Sequence, residues 1–378
     1  MILEYGAKNY FSFKEWVTIS FKLGQQCPVD ITQGDDFTKI IGVKGANASG
    51  KTNVLKILNF LSKFCISSFN EKPEELIGIQ SFFSNKKHTE FYVEFKCNDI
   101  LYKYELELTE NKIYRETIYK RVKREVKILE RIKNKLVLCN AKYKKLNIIT
   151  LRDNASIIST AHQYGNKELY DIHTFFSHIY TNVNFFGLTD SIQDESLVSK
   201  FLIENKNYFD FVKKLIIKYD PDISDIEIKT REIETGTRYY PIFTYDVDAV
   251  HNFLTFHIQS SGTKALYKYL SRYKDALDTG GLLVFDEFDI NLHPDILPDL
   301  LSLFSNKEIN KKGAQIIFTT HNTSILDFLG KYRVYLVNKE HCESYAYRLD
   351  EIPGDILRND RDISPIYRSG KIGGIPKL

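Results

Sequence analysis

No apolar run in this sequence approaches the roughly eighteen residues that a membrane-spanning helix needs. The opening Met1-Ile2-Leu3-Glu4-Tyr5-Gly6 lacks the basic-then-apolar pattern of a secretory signal. Together these absences predict a cytoplasmic protein that makes no use of a membrane. Cysteine is sparse: Cys27, Cys65, Cys97, Cys139 and Cys342 are odd in number, scattered, and include no C-x-x-C pair. That argues against a disulfide framework and against a zinc site. Charge of one sign is not in excess either. The 52 basic and 49 acidic residues leave a net charge of +3, so the chain as a whole is no polycation and any nucleic-acid contact must rest on local clustering. Internal repeats and low-complexity linkers are missing. What remains is an ordinary globular composition, 43% hydrophobic and 27% charged, in 378 residues, long enough for one large domain or two smaller ones.

Against this plain background one segment stands out. Gly45-Ala46-Asn47-Ala48-Ser49-Gly50-Lys51-Thr52 fits G-x-x-x-x-G-K-[ST] and lies between the apolar Lys39-Ile40-Ile41-Gly42-Val43 and the helical Asn53-Val54-Leu55-Lys56-Ile57-Leu58-Asn59-Phe60-Leu61. This is the strand, loop and helix context of a phosphate-binding loop. Gly45 and Gly50 let successive N–H groups and the helix N-terminus turn toward a phosphate chain, and Lys51 adds a mobile positive charge. Gly45, Ala46, Asn47, Ala48, Ser49, Gly50, Lys51, Thr52 and Asn53 are therefore predicted to hold a nucleoside triphosphate.

Four later segments complete a constellation. Leu282-Leu283-Val284-Phe285-Asp286-Glu287 is an apolar strand ending in two acids: Asp286 is predicted to share Mg²⁺ with the Thr52 hydroxyl, and Glu287 to activate the attacking water. Gln259-Ser260-Ser261-Gly262-Thr263-Lys264 opens a helix about twenty residues upstream. Ser260 stands at the cap position of that helix and Gly262 allows close approach to a phosphate, although a plain helix cap explains the same residues. Asp289-Ile290-Asn291-Leu292-His293-Pro294 follows the two acids, and Thr319-Thr320-His321-Asn322 ends the next apolar strand, where His321 is placed to sense a γ-phosphate. Gln80 is the candidate for a further glutamine expected between the phosphate loop and the next region.

The flanking pattern predicts an α/β fold in four parts. Residues 1–90 carry strands, with Tyr10-Phe11-Ser12-Phe13 among them, and the phosphate loop. Residues 91–150 alternate in twos as an antiparallel β-meander, residues 151–225 are mostly helical over 155–178 and 195–219, and residues 226–378 return, after a polar hairpin around Glu234-Thr235-Gly236-Thr237, to short apolar strands between helices. Such strands indicate a parallel sheet covered on both faces.

The order and form of these motifs resemble the ABC-like ATPases that include SMC, RecF and OLD-type proteins. With the terminal Arg368-Ser369-Gly370-Lys371-Ile372-Gly373-Gly374-Ile375-Pro376, they are similar to AAA-type ATP-binding proteins of bacterial phage defence, AbiL-, RloA- and AriA-like. The resemblance implies a P-loop NTPase of ABC-ATPase type with an antiparallel meander and an inserted helical subdomain. It also implies ATP and Mg²⁺ as cofactors and an ATP-sandwich homodimer, or a higher even oligomer, in which Ser260 and Gly262 face the partner's γ-phosphate. Glu287, His321 and Lys51 would be catalytic, Thr52 and Asp286 metal-binding, and a separate nuclease-like or toxin effector would be the controlled partner. Departures are Ser261-Gly262-Thr263 in place of Gly-Gly-Gln and His293 at a position where Asp is usual.

Some absences narrow the role. No heptad arm fits between Thr52 and Ser260, and the 57 residues after His321 leave little room for a nuclease domain. Asp360-Arg361-Asp362 reads as a solvated loop. From Lys112 to Lys145 there are 13 Lys and Arg against Glu116, Glu125 and Glu130, interleaved with Tyr114, Tyr119 and Tyr143, a candidate nucleic-acid surface. A RecF-like DNA-repair ATPase and an ATP-locked scaffold that sequesters a toxin stand as the alternative functions.

Overall fold

The computed structural model describes all residues except 33, 149, 190–193, 235, 249 and 376–378. Thr235, in the hairpin read from the sequence, lies outside the described residues; the strands on either side of it, Ile223–Ile233 and Gly236–Val247, do pair antiparallel.

The centre is a six-stranded sheet ordered Glu343–Arg348, Val334–Glu340, Ile40–Gly45, Gln315–Thr319, Leu282–Phe285, Ile179–Thr181. All neighbours are parallel except the first pair, a hairpin. Its central strands Ile40–Gly45, Gln315–Thr319 and Leu282–Phe285 are buried at every position because both faces are covered. Alternate residues serve different cores: Ile41, Val43, Leu282, Val284, Ile317, Tyr335 and Val337 join the cluster containing the helix Lys51–Ser67. Ile40, Leu283, Phe285, Ile316, Phe318, Val334 and Leu336 join the cluster containing the helices Ser261–Thr279 and Ile296–Ser305. The phosphate-loop helix and the helix that follows Ser260 thus occupy opposite faces of one sheet.

Covering the first face is a seven-stranded antiparallel sheet, ordered Val17–Ser20, Ile2–Lys8, Thr89–Cys97, Ile100–Leu108, Ile113–Arg121, Glu125–Ile132, Lys135–Cys139. Hydrogen bonding therefore runs from the N-terminal strands straight into the meander, across residue 90. The helical stretches also divide: Ile157–Gln163 and Tyr170–Ser177 pack beside the phosphate-loop helix, whereas Glu195–Glu204 and Lys206–Tyr219 pack with Ser261–Thr279 on the other face.

Tyr10-Phe11-Ser12-Phe13 is not a strand. Tyr10 and Phe13 exchange backbone hydrogen bonds of 2.8 and 2.9 Å around a tight turn, and Asn9 and Phe11 take left-handed φ of 55° and 47°. The apolar signal arose because Tyr10 and Phe13 plug the core. The strand in that region is Ile2–Lys8.

Gln315 fastens the two sheets together. From the base of its strand, the 1%-exposed side chain accepts from the Ile2 N–H at 2.6 Å and donates to the Ile2 carbonyl at 2.9 Å. Gln315→Ala leaves both backbone groups buried without that partner, so we expect a loss of about 2 kcal/mol in stability. Urea unfolding checks this, and an unchanged midpoint would mean the bridge contributes nothing.

Candidate nucleotide site

The strand Ile40–Gly45 ends in a loop that the helix Lys51–Ser67 closes. A Cβ on Gly45 would lie 2.2 Å from the Val337 carbonyl oxygen, and one on Gly50 would lie 2.7 Å from Ser12 Oγ and 2.8 Å from Ser344 Oγ. Gly50 also takes φ 107°, so both glycines answer a close approach that a side chain would block. Ser344 Oγ donates to the Ser49 carbonyl at 2.6 Å, which ties the loop to the outer hairpin. Asn53 donates to Ser12 Oγ at 2.9 Å.

The Lys51 ammonium folds back on its own loop, donating to the Gly45 and Ala46 carbonyls at 2.9 Å each. Burial pushes its pKa down, opposed by the charges of Asp286, Glu287 and Asp289. Thr52 Oγ1 donates to Asp286 Oδ2 at 2.8 Å, and Thr319 Oγ1 donates to Asp286 Oδ1. The Glu287 N–H donates to Thr319 Oγ1 at 2.8 Å, and Glu287 itself is half-buried with φ 50°, a left-handed conformation that non-glycine residues rarely take. Strain of that kind at the end of a strand is typical of functional positions.

The segment around His321 is held by its backbone. Asp289 accepts the N–H groups of His321 at 3.1 Å and Asn322 at 3.0 Å, while Lys44 Nζ donates to the His321 carbonyl at 2.8 Å. The imidazole itself is exposed.

Sequence reading missed Asn182. It follows the three-residue strand Ile179–Thr181 beside the strand Leu282–Phe285, and its side chain exchanges two hydrogen bonds with the Asp286 backbone, 2.7 Å from the Asp286 N–H and 2.9 Å to the Asp286 carbonyl. A strand that short leaves almost no periodic signal. Gln80, the earlier candidate for a site glutamine, turns its amide to Ser84 Oγ at 2.8 Å and the Ser81 carbonyl instead.

Ser260 and Gly262 are not brought to the loop. Ser260 caps the helix Ser261–Thr279 by accepting from the Thr263 N–H, and both Ser260 and Ser261 are exposed. Gly262 packs against the segment after the paired acids, where a Cβ would lie 2.9 Å from the Asn291 carbonyl oxygen. His293 is exposed beside Asp295. Asp360, Arg361 and Asp362 are exposed.

The basic stretch is less free than its composition implied. Arg115 and Lys127 bind Glu130, Arg121 binds Glu125, Lys145 approaches Glu168, and Arg131 is fully buried against Glu116. Tyr143 is buried and Tyr114 stacks on His88, which leaves Lys123, Arg124, Lys133, Lys135, Lys142 and Lys144 as exposed cations.

A phosphate loop followed across the sheet by paired acids and a backbone-held histidine defines an α/β P-loop NTPase of ABC-like type. Residues 40–327 match the family described as "AAA domain, putative AbiEii toxin, Type IV TA system", and the chain belongs to that family. Among solved structures it is similar to the SMC head domain from Thermotoga maritima, with 14% identity, a TM-score of 0.44, and coverage of 92% of this chain and 98% of that one. It is likewise similar to the Smc head domains of Pyrococcus furiosus (12% identity, TM-score 0.48, 92% and 96% covered) and Pyrococcus yayanosii (12%, 0.48, 97% and 99%). No curated protein matches it. Among the described residues no helix is long and apolar enough to cross a membrane.

Proposed function

We propose that this chain binds and hydrolyses ATP with Mg²⁺ as a homodimer whose chains complete each other's sites, and that hydrolysis controls a separate effector in a cytoplasmic anti-phage response. The observation carrying the dimer is the placement of the helix behind Ser260 and the helix behind Lys51 on opposite faces of one sheet. An exposed helix N-terminus offers N–H groups suited to a phosphate, and this helix packs on the face of the sheet opposite the helix that closes the chain's own loop. The family description, which names a toxin and a toxin–antitoxin system, supports the defence role.

Thr52 and Asp286 suit Mg²⁺ by their chemistry. They are hard oxygen donors 2.8 Å apart, suited to an ion that takes one or two protein oxygens and completes its shell with phosphates and water. When bound, the ion would neutralise charge on the phosphate oxygens. Lys51 would leave the Gly45 and Ala46 carbonyls for a phosphate, regaining a counter-charge for an ammonium that burial disfavours. Glu287 would take the proton of the attacking water, and Asn182 and Thr319 would hold Asp286 and Glu287 in register. His321, on its gripped backbone, would report the γ-phosphate.

Bacteria carrying the gene with its neighbouring reading frame should be protected in plaque assays, and Lys51→Ala should abolish both ATP binding and protection. Protection that persists in a Lys51→Ala protein unable to bind ATP would overturn the proposed control by ATP.

A further inference from the structure

Lys44 is 3% exposed, immediately before the loop, and none of the roles above uses it. A buried ammonium is costly unless well partnered. Its hydrogen-bond acceptor is the His321 carbonyl, and its Nζ sits 5.1 Å from the centre of the Tyr367 ring, within cation–π range. Tyr367 comes from the last helix, Ile363–Arg368, and is seated by the glycine-rich segment that follows: its hydroxyl donates to the Gly374 carbonyl at 2.7 Å, and a Cβ on Gly374 would lie 3.0 Å from its ring. That segment is itself pinned to both strands of the outer hairpin, Val334–Glu340 and Glu343–Arg348. The Gly374 N–H donates to Asn338 Oδ1 at 2.7 Å, and the Tyr347 hydroxyl donates to the Ile372 carbonyl at 2.6 Å.

We propose that Lys44, backed by the Tyr367 ring, is a positioning residue for His321, and that the C-terminal glycine segment acts on turnover by seating that ring. The His321 peptide is gripped at both ends, N–H by Asp289 and C=O by Lys44, so the imidazole swings only about its own side-chain bonds. Burial lowers the Lys44 pKa to about 8; the Asp289 carboxylate opposes this, and the cations of Lys51 and Arg368 add to it. An ammonium so placed holds its carbonyl firmly only while its own partners stay in position. The proposal rests on the ATPase reading and deepens it.

The test measures ATP turnover and KM for Lys44→Met, Tyr367→Leu and Tyr367→Phe, alongside melting temperatures. A misplaced group at a reacting centre costs on the order of tenfold to a hundredfold in rate. Lys44→Met and Tyr367→Leu should each lower kcat about tenfold or more at unchanged KM in protein that stays folded at the assay temperature and should not add in the double variant, and Tyr367→Phe, which keeps the ring but gives up its bond to the Gly374 carbonyl, should retain more kcat than Tyr367→Leu. Wild-type kcat in Lys44→Met or Tyr367→Leu would overturn the inference while leaving the ATPase reading intact. If Lys44→Met fails to fold, the Leu and Phe variants at 367 decide: equal kcat in the two overturns it. No turnover by the wild-type protein with Mg²⁺ and ATP would instead sink the ATPase reading beneath it.

Discussion

Glu287→Gln should bind ATP with Mg²⁺ as the wild type does and hydrolyse it at least about a hundredfold more slowly, the scale for loss of a positioned general base. The geometry makes this substitution clean. Glu287 is placed by its backbone, through its N–H to Thr319 Oγ1 and a left-handed φ, so an isosteric amide changes basicity without moving the chain. The ATP-bound assembly should then accumulate, visible as a larger species by light scattering. Phosphate release at the wild-type rate would remove Glu287 from the chemistry. Retained restraint of the effector in this variant would favour the scaffold alternative, in which ATP locks an assembly and hydrolysis is incidental.

The second large effect concerns the proposed interface between two chains. Gly262→Asp should abolish ATP-dependent dimerisation and hydrolysis while each chain still binds ATP, since Gly262 and the phosphate loop are served by helices on opposite sides of the sheet. If that helix N-terminus receives a partner's phosphate as proposed, a carboxylate there adds like-charge repulsion. The side chain would also press on the Asn291 carbonyl, so repulsion must be separated from crowding. Ser261→Glu does that, because Ser261 is exposed. If both variants dimerise with ATP and turn over normally, Ser260 is a helix cap and nothing more, as its bond to the Thr263 N–H already allows.

Much of the architecture was legible in the sequence because the signals are physical. Strands covered on both faces have to be apolar, so Leu282–Phe285 and Gln315–Thr319 were evident, and strands covered on one face alternate, which exposed the meander. Ile2–Lys8 was overlooked beside the louder Tyr10-Phe11-Ser12-Phe13, whose aromatics fill the core from a turn. The site's acids and loop could be read because their order along the chain is distinctive. Asn182 and Lys44 act by holding backbone atoms of distant segments, and no local pattern marks a side chain whose partner lies more than a hundred residues away. The basic run is one place where composition and fold differ in detail: composition counts charges, whereas the fold places Arg131 on Glu116 in the interior.

The outer hairpin offers an optical window on the loop. Cys342 is exposed at its tip, whereas Cys27 and Cys65 are buried and Cys97 and Cys139 partly so, which makes it the thiol most open to labelling. Two residues on, Ser344 is bonded to the Ser49 carbonyl and sits against Gly50. A dye attached at Cys342 therefore sits two residues from the hydrogen bond that joins this hairpin to the loop backbone, and its anisotropy can follow nucleotide arrival and departure in real time without any substitution in the chain.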